Sequence, residues 1–252
     1  MEDIQQSEFI FYLPLIAAYT GACLTSYFFF RRFKLILNEE VIRPKNANME
    51  LVLAVIAVAA IFAIGRIYDA GYLLSSKNNP FVWIINNLII YSPILILIAI
   101  RGHSLSTVWI SPQKWHIKII SGLLSSIIAL VIFFVLRSEW YRWAEVLDKS
   151  FSLKSLSNFA AVFLEGVAIA FLFVRLKWAS NLKVALFIPA ILFAFAHVPG
   201  MLADNAPWWH ILLMSSVTGA ITILVLYTCN KLRDIFWIGL VHYFLDVAIN
   251  AF

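Results

Sequence analysis

The last apolar stretch of the chain, residues 235–252, carries His242 and Asp246 four residues apart. Four residues are about 1.1 helical turns, so in a helix both side chains leave from one face. Two further ionisable residues, Glu165 and His197, stand on separate apolar stretches upstream. Carboxylates and imidazoles transfer protons near neutral pH and bind divalent metals. At membrane depth such groups are costly and need partners. Taken singly, each histidine reads as a hydrogen-bonded packing residue. Taken together, Glu165, His197, His242 and Asp246 predict one shared polar site. Asn250 continues the His242–Asp246 stripe, either behind that site or as packing.

The elements that must position these residues follow from composition. Hydrophobic residues are 62% of the 252, charged ones 13%, and mean hydropathy is +0.88. A soluble domain is nearer 45–50% apolar and about 25% charged. The expectation is an all-α, polytopic membrane helix bundle in a single domain, with the lipid bilayer as its surroundings. A cell membrane is the expected location. The net charge of +5 reflects Lys and Arg in short loops, and no basic run interleaved with aromatics suggests nucleic-acid binding. Cys23 and Cys229 form neither a disulfide framework nor a metal-ligand spacing. The acidic N-terminus lacks the positive region of a cleavable signal, so the first apolar stretch reads as a permanent span.

About 20 apolar residues cross a bilayer core as a helix, which pairs every backbone polar group internally. That rule predicts eight spans, at roughly 9–30, 51–73, 82–100, 117–136, 158–176, 184–198, 208–228 and 235–251. The sixth and eighth are short. Loops after the odd-numbered spans hold thirteen Lys and Arg, with Lys118 and Arg175 counted among them. The other side holds five: Lys77, Arg137, Arg142, Lys149 and Lys154. The positive-inside rule then places both termini outside. On that topology Glu165 lies about 10 Å deep at 1.5 Å per residue, and all four candidates share the outer half of the bilayer. The connection at 137–157 reads as an interfacial amphipathic helix, with Trp140, Tyr141 and Trp143 as anchors. Within the spans the acidic residues expected are Asp69, Glu165 and Asp246, and the basic one is Arg66. Arg66 and Asp69 are spaced for a local pair, either structural or binding a substrate terminus.

A glutamate-bearing helix, then F-x-x-x-H, then H-x-x-x-N/D on successive membrane helices resembles the CAAX prenyl protease and bacteriocin-processing (CPBP, or Abi) family. Phe193 and His197 fit the second motif, and His242 and Asp246 the third in its Asp form. The resemblance covers about residues 155–252; residues 1–136 carry no signature. The family's first motif is E-E-x-x-x-R, where this chain has Leu164, Glu165 and Gly166 without the arginine. The FLFVRL tail ending at Leu176 makes Glu165 the second glutamate of the pair, and a shift of one makes it the first.

The resemblance implies an intramembrane endopeptidase acting on a membrane-bound or lipidated peptide or protein. Glu165 would be the general base on a water shared with His197, while His242 stabilises the oxyanion and Asp246 orients it. A metal version would place His197, His242 and Glu165 around zinc or another divalent ion. No H-E-x-x-H is present, which excludes the zincin arrangement. A metal-free enzyme is the favoured expectation. The altered first motif leaves a second reading, a catalytically degenerate scaffold, chaperone or immunity protein. A third is a small transporter using Glu165 with Arg66 and Asp69, although no inverted repeat of broken helices supports it.

Overall fold

The computed structural model describes residues 2–36, 43–74 and 79–250, with side chains from Tyr12 to Ile249 within those ranges. Lys77 and the side chain of Asn250 lie outside the described residues. All regular structure among the described residues is helical. Seven helices are long and apolar enough to cross a bilayer, and the chain is a multi-pass integral membrane protein. These are α1 (Glu2–Arg32), α2 (Ala47–Asp69), α3 (Pro80–Ile100), α4 (Trp115–Arg137), α6 (Leu153–Ala179), α7 (Leu182–Ala196) continued by α8 (Val198–Ala203), and α9 (Trp208–Leu232). The eighth, α10 (Phe236–Asn250), has 15 residues and is short for a span. Between α4 and α6 lies α5 (Trp143–Ser150), the helix expected there, with Val146 and Ser150 buried on its inner side.

Local chemistry sets the helix starts. Asn79 Oδ1 accepts from the Phe81 and Val82 amides, and Pro80 occupies the first turn of α3, where no backbone donor is needed. Ser152 caps α6 through the Ser155 amide, and Asn181 caps α7 through the Val184 amide. Pro199 cannot continue α7, so the helix breaks at His197 and restarts as α8.

Six helices close a ring in the order α6, α10, α4, α1, α9, α7 and back to α6, with α2 and α3 packed on the outside of α6. The α4 seam is built from small residues: Ser121, Gly122, Ser125, Ser126 and Ala129 are all buried. Small side chains let membrane helices approach closely. A Cβ on Gly122 would come within 2.7 Å of Leu240 and 3.0 Å of the Trp237 Cα, so α4 and α10 touch almost backbone to backbone. On the same seam Ser26 and Ser125 hydroxyls pair at 2.7 Å. Only Arg233, Asp234 and Ile235 join α9 to α10, yet those two helices make little contact beyond the turn, where Cys229 meets Trp237, and otherwise flank a cavity.

Three charged groups sit where apolar patterning did not place them. Glu50, just outside the expected second span, lies in the first turn of α2 and is 1% exposed. Lys118 belongs to α4 rather than a loop, is 1% exposed, and pairs with fully buried Asp234 at 2.9 Å. Burial pushes the Asp234 carboxyl up, and the Lys118 ammonium opposes that shift. Arg175 is inside α6, fully buried, with Nη1 donating to the Thr107 carbonyl at 2.9 Å and its guanidinium 3.7 Å over the Phe171 ring. By contrast Arg66 and Asp69, expected inside a span, pair at 3.5 Å in the last turn of α2 and are 68% and 62% exposed.

Candidate active site

Three helices of the ring supply the four candidate residues. Glu165 lies near the middle of α6, and the Tyr91 hydroxyl of α3 turns toward its carboxylate. His197 occupies the junction of α7 and α8, where the helix leaves carbonyls without intrahelical donors. Its Nδ1 lies 2.9 Å from the Phe193 carbonyl oxygen. A carbonyl can only accept, so Nδ1 carries the proton and Nε2 is left as the acceptor of the neutral ring. One turn of α10 separates His242 from Asp246, with His242 Nε2 3.4 Å from Asp246 Oδ1. The His242 ring sits between Tyr19, at 6.5 Å, and Phe193, at 6.4 Å, both edge-on. Phe193 also meets His197 at 4.8 Å, so one aromatic ring spaces the two imidazoles.

All four side chains line a polar recess of about 570 Å³. Its remaining walls come from the α5–α6 junction, with Lys149, Ser152, Lys154, Ser155 and Asn158, from Trp83 of α3, and from Ala161, Val162, Tyr243 and Val247 farther along α6 and α10. The same four residues also line an apolar chamber of about 180 Å³ inside the ring, which extends between α9 and α10 toward Trp109. A second apolar cavity, about 240 Å³, runs between α2, α3, α6 and α7 and shares Glu165 and His197 with the other two. Glu165 and His197 therefore stand where polar and apolar spaces meet. His242, Asp246 and His197 are all within electrostatic range of the Glu165 carboxylate. Gly166 borders the chamber, and a Cβ there would meet no atom within 4 Å. Neither Arg66 nor Asp69 lines any of the three cavities.

Among the described residues, no group of three or more His, Cys, Asp and Glu side chains is placed to hold a metal ion. The set expected for zinc, His197, His242 and Glu165, shares a cavity without converging as ligands. Patterning missed Tyr91, whose hydroxyl faces Glu165, and Tyr19, whose ring meets that of His242. The available signal was a phenol in the middle of an apolar span, whose polar atom needs a partner.

No protein-family model, curated protein or solved structure matches this chain. Fold and site together define a multi-pass, all-helical membrane protein with a cluster of ionisable residues lining its internal cavities.

Proposed function

We propose that this chain is an intramembrane endopeptidase that hydrolyses a peptide bond of a membrane-bound or lipidated protein or peptide. The observation that carries the reading is the placement of Glu165, His197, His242 and Asp246 on one polar recess that adjoins apolar chambers. An extended peptide needs the polar space, and an apolar side chain or lipid needs the other. A cell membrane is the proposed location, and the family resemblance of residues 155–252 points to the same chemistry.

The proposed reaction begins with a water held between the Glu165 carboxylate and His197 Nε2. Glu165 takes one proton as the water oxygen bonds to the peptide carbonyl carbon. The carbonyl π pair moves to its oxygen, which accepts a hydrogen bond from the His242 ring. Asp246, one turn along, orients that ring and stabilises its protonated form. Collapse of the tetrahedral adduct breaks the C–N bond, and Glu165 returns its proton to the leaving amine. No metal enters any step.

The test is purification of the full chain in detergent, incubation with lipidated, leader and membrane-helix peptides, and mass spectrometry of the products. Cleavage by wild type, absent in Glu165→Gln and retained under strong chelation, supports the proposal. Loss on chelation with rescue by zinc replaces it with the metal version. Glu165→Ala and His242→Ala variants that keep full biological activity in cells favour the scaffold or immunity role instead. Gly166→Leu puts a branched side chain into the chamber, and cleavage of substrates with the bulkiest apolar groups should fall first.

A further inference from the structure

The opposite end of the bundle carries a further lined cavity that the proposed chemistry does not use. It has a volume of about 180 Å³ and lies between the end of α6, the end of α9 and the residues that precede α2. At roughly 30 Å³ per water, that is room for several waters or one phosphate group with part of its ester. Arg43, Lys177 and Arg233 bring three cations to it, and among the described residues no carboxylate lines it. Lys177 Nζ lies 2.9 Å from Asn230 Oδ1. An ammonium only donates, so Oδ1 accepts and the Asn230 amide nitrogen is a further donor. Trp109 forms part of the wall, and its buried indole N–H has no hydrogen-bond partner among the described residues. The lining is thus rich in donors and cations.

Cations at helix C-termini have a structural explanation of their own, since they face the negative end of the helix dipole. That accounts for Lys177 and Arg233. It accounts neither for Arg43, which belongs to no helix end, nor for the cavity, nor for the unpaired indole donor. We infer that this cavity is an anion site for a phosphate group, supplied by the headgroup of an anionic phospholipid or by a soluble phosphate. The flanking Phe173, Val174 and Trp178 give an apolar wall beside the cations, as a headgroup joined to acyl chains requires. Trp178 is itself held by the Arg175 guanidinium 4.9 Å from its ring. Basic pockets between membrane helices are a recurring form of headgroup recognition.

The experiment uses the full chain in a phosphate-free detergent. Retained lipid is measured by native mass spectrometry, and the thermal midpoint is followed against phosphatidylglycerol and, separately, inorganic phosphate. Wild type should bind one anionic lipid. The Lys177→Gln/Arg233→Asn pair should weaken binding about tenfold or more, since each cation near the surface contributes appreciably to anion attraction. Asparagine at position 233 tolerates the positive φ of 57° that Arg233 adopts there. Arg43→Gln alone, at an exposed residue outside the helices, provides a variant that spares the fold and should also lose affinity. Lys114→Gln/Lys183→Gln removes the same charge at the same end outside the cavity and should bind as wild type does. Saturable protection by inorganic phosphate alone, at matched concentration, would assign the soluble source. Equal weakening in both double variants, or binding of neither ligand by wild type, overturns the site.

Discussion

Two clusters in this bundle share one composition, a glutamate with histidine, and differ in everything that follows. Glu50 is saturated. Arg101 donates to Oε1 through Nε at 3.0 Å and Nη2 at 2.7 Å, and His103 Nε2 lies 2.8 Å from Oε2. Both carboxylate oxygens are occupied, the partners come from just beyond α3, and the result is a clamp between the start of α2 and the end of α3. Glu165 has no Lys or Arg partner among its interactions, faces two histidines and a second carboxylate, and borders three cavities. A carboxylate whose lone pairs are consumed by neighbours holds helices together. One that keeps its lone pairs toward an open space is available to water and substrate. What separates the two is free valence, and that is a property of the neighbours.

The sharpest test of this contrast exchanges a carboxylate for its amide in each cluster. Glu165→Gln should reduce peptide hydrolysis about 10²–10⁴-fold, the range of a lost general base, with the thermal midpoint little changed. A Glu165→Gln protein that unfolds while cleaving normally would reverse the assignment. Asp234→Asn belongs with the saturated kind: it strands fully buried Lys118 and should lower stability by about 3–5 kcal/mol in denaturant titration. Glu50→Gln should cost about 1.5–3 kcal/mol, less because Arg101 is partly exposed and water can replace its partner. Specific activity per folded molecule should be unchanged in that variant; a loss there would mean the clamp reaches the site. The smallest effect is expected from Tyr91→Phe, which removes one hydroxyl facing Glu165, about 1.5 kcal/mol or roughly tenfold in rate.

The sequence made the long helices readable because a 20-residue apolar window is a strong local signal, and every expected span has its helix. It also made Glu165, His197, His242 and Asp246 stand out, each against apolar neighbours on its own helix. Glu50, Lys118 and Arg175 were not readable in the same way. Each lies within about a turn or so of a span's edge, where a charge reads as part of a loop. What buries them is a partner from a distant element: Arg101 for Glu50, Asp234 for Lys118, Thr107 for Arg175. Pairing across the chain leaves no periodic trace. Tyr91 escaped notice for a related reason, since its packing against Glu165 joins two helices with no shared motif.

The linkage between α9 and α10 has one more consequence. A three-residue connection ordinarily folds two helices against each other. Here Lys118 grips Asp234, and the Ile235 amide donates to the Trp109 carbonyl at 3.2 Å, so the turn is fastened to α4 and its preceding loop. The two helices stand apart like the legs of a pair of dividers locked at the joint. The angle set at that joint fixes the width of the chamber beside His242, about 12 Å farther along α10 at 1.5 Å per residue. On the proposed reading, the fit of a substrate's apolar part would therefore be set in part at this joint, where Ile235 also lines the chamber.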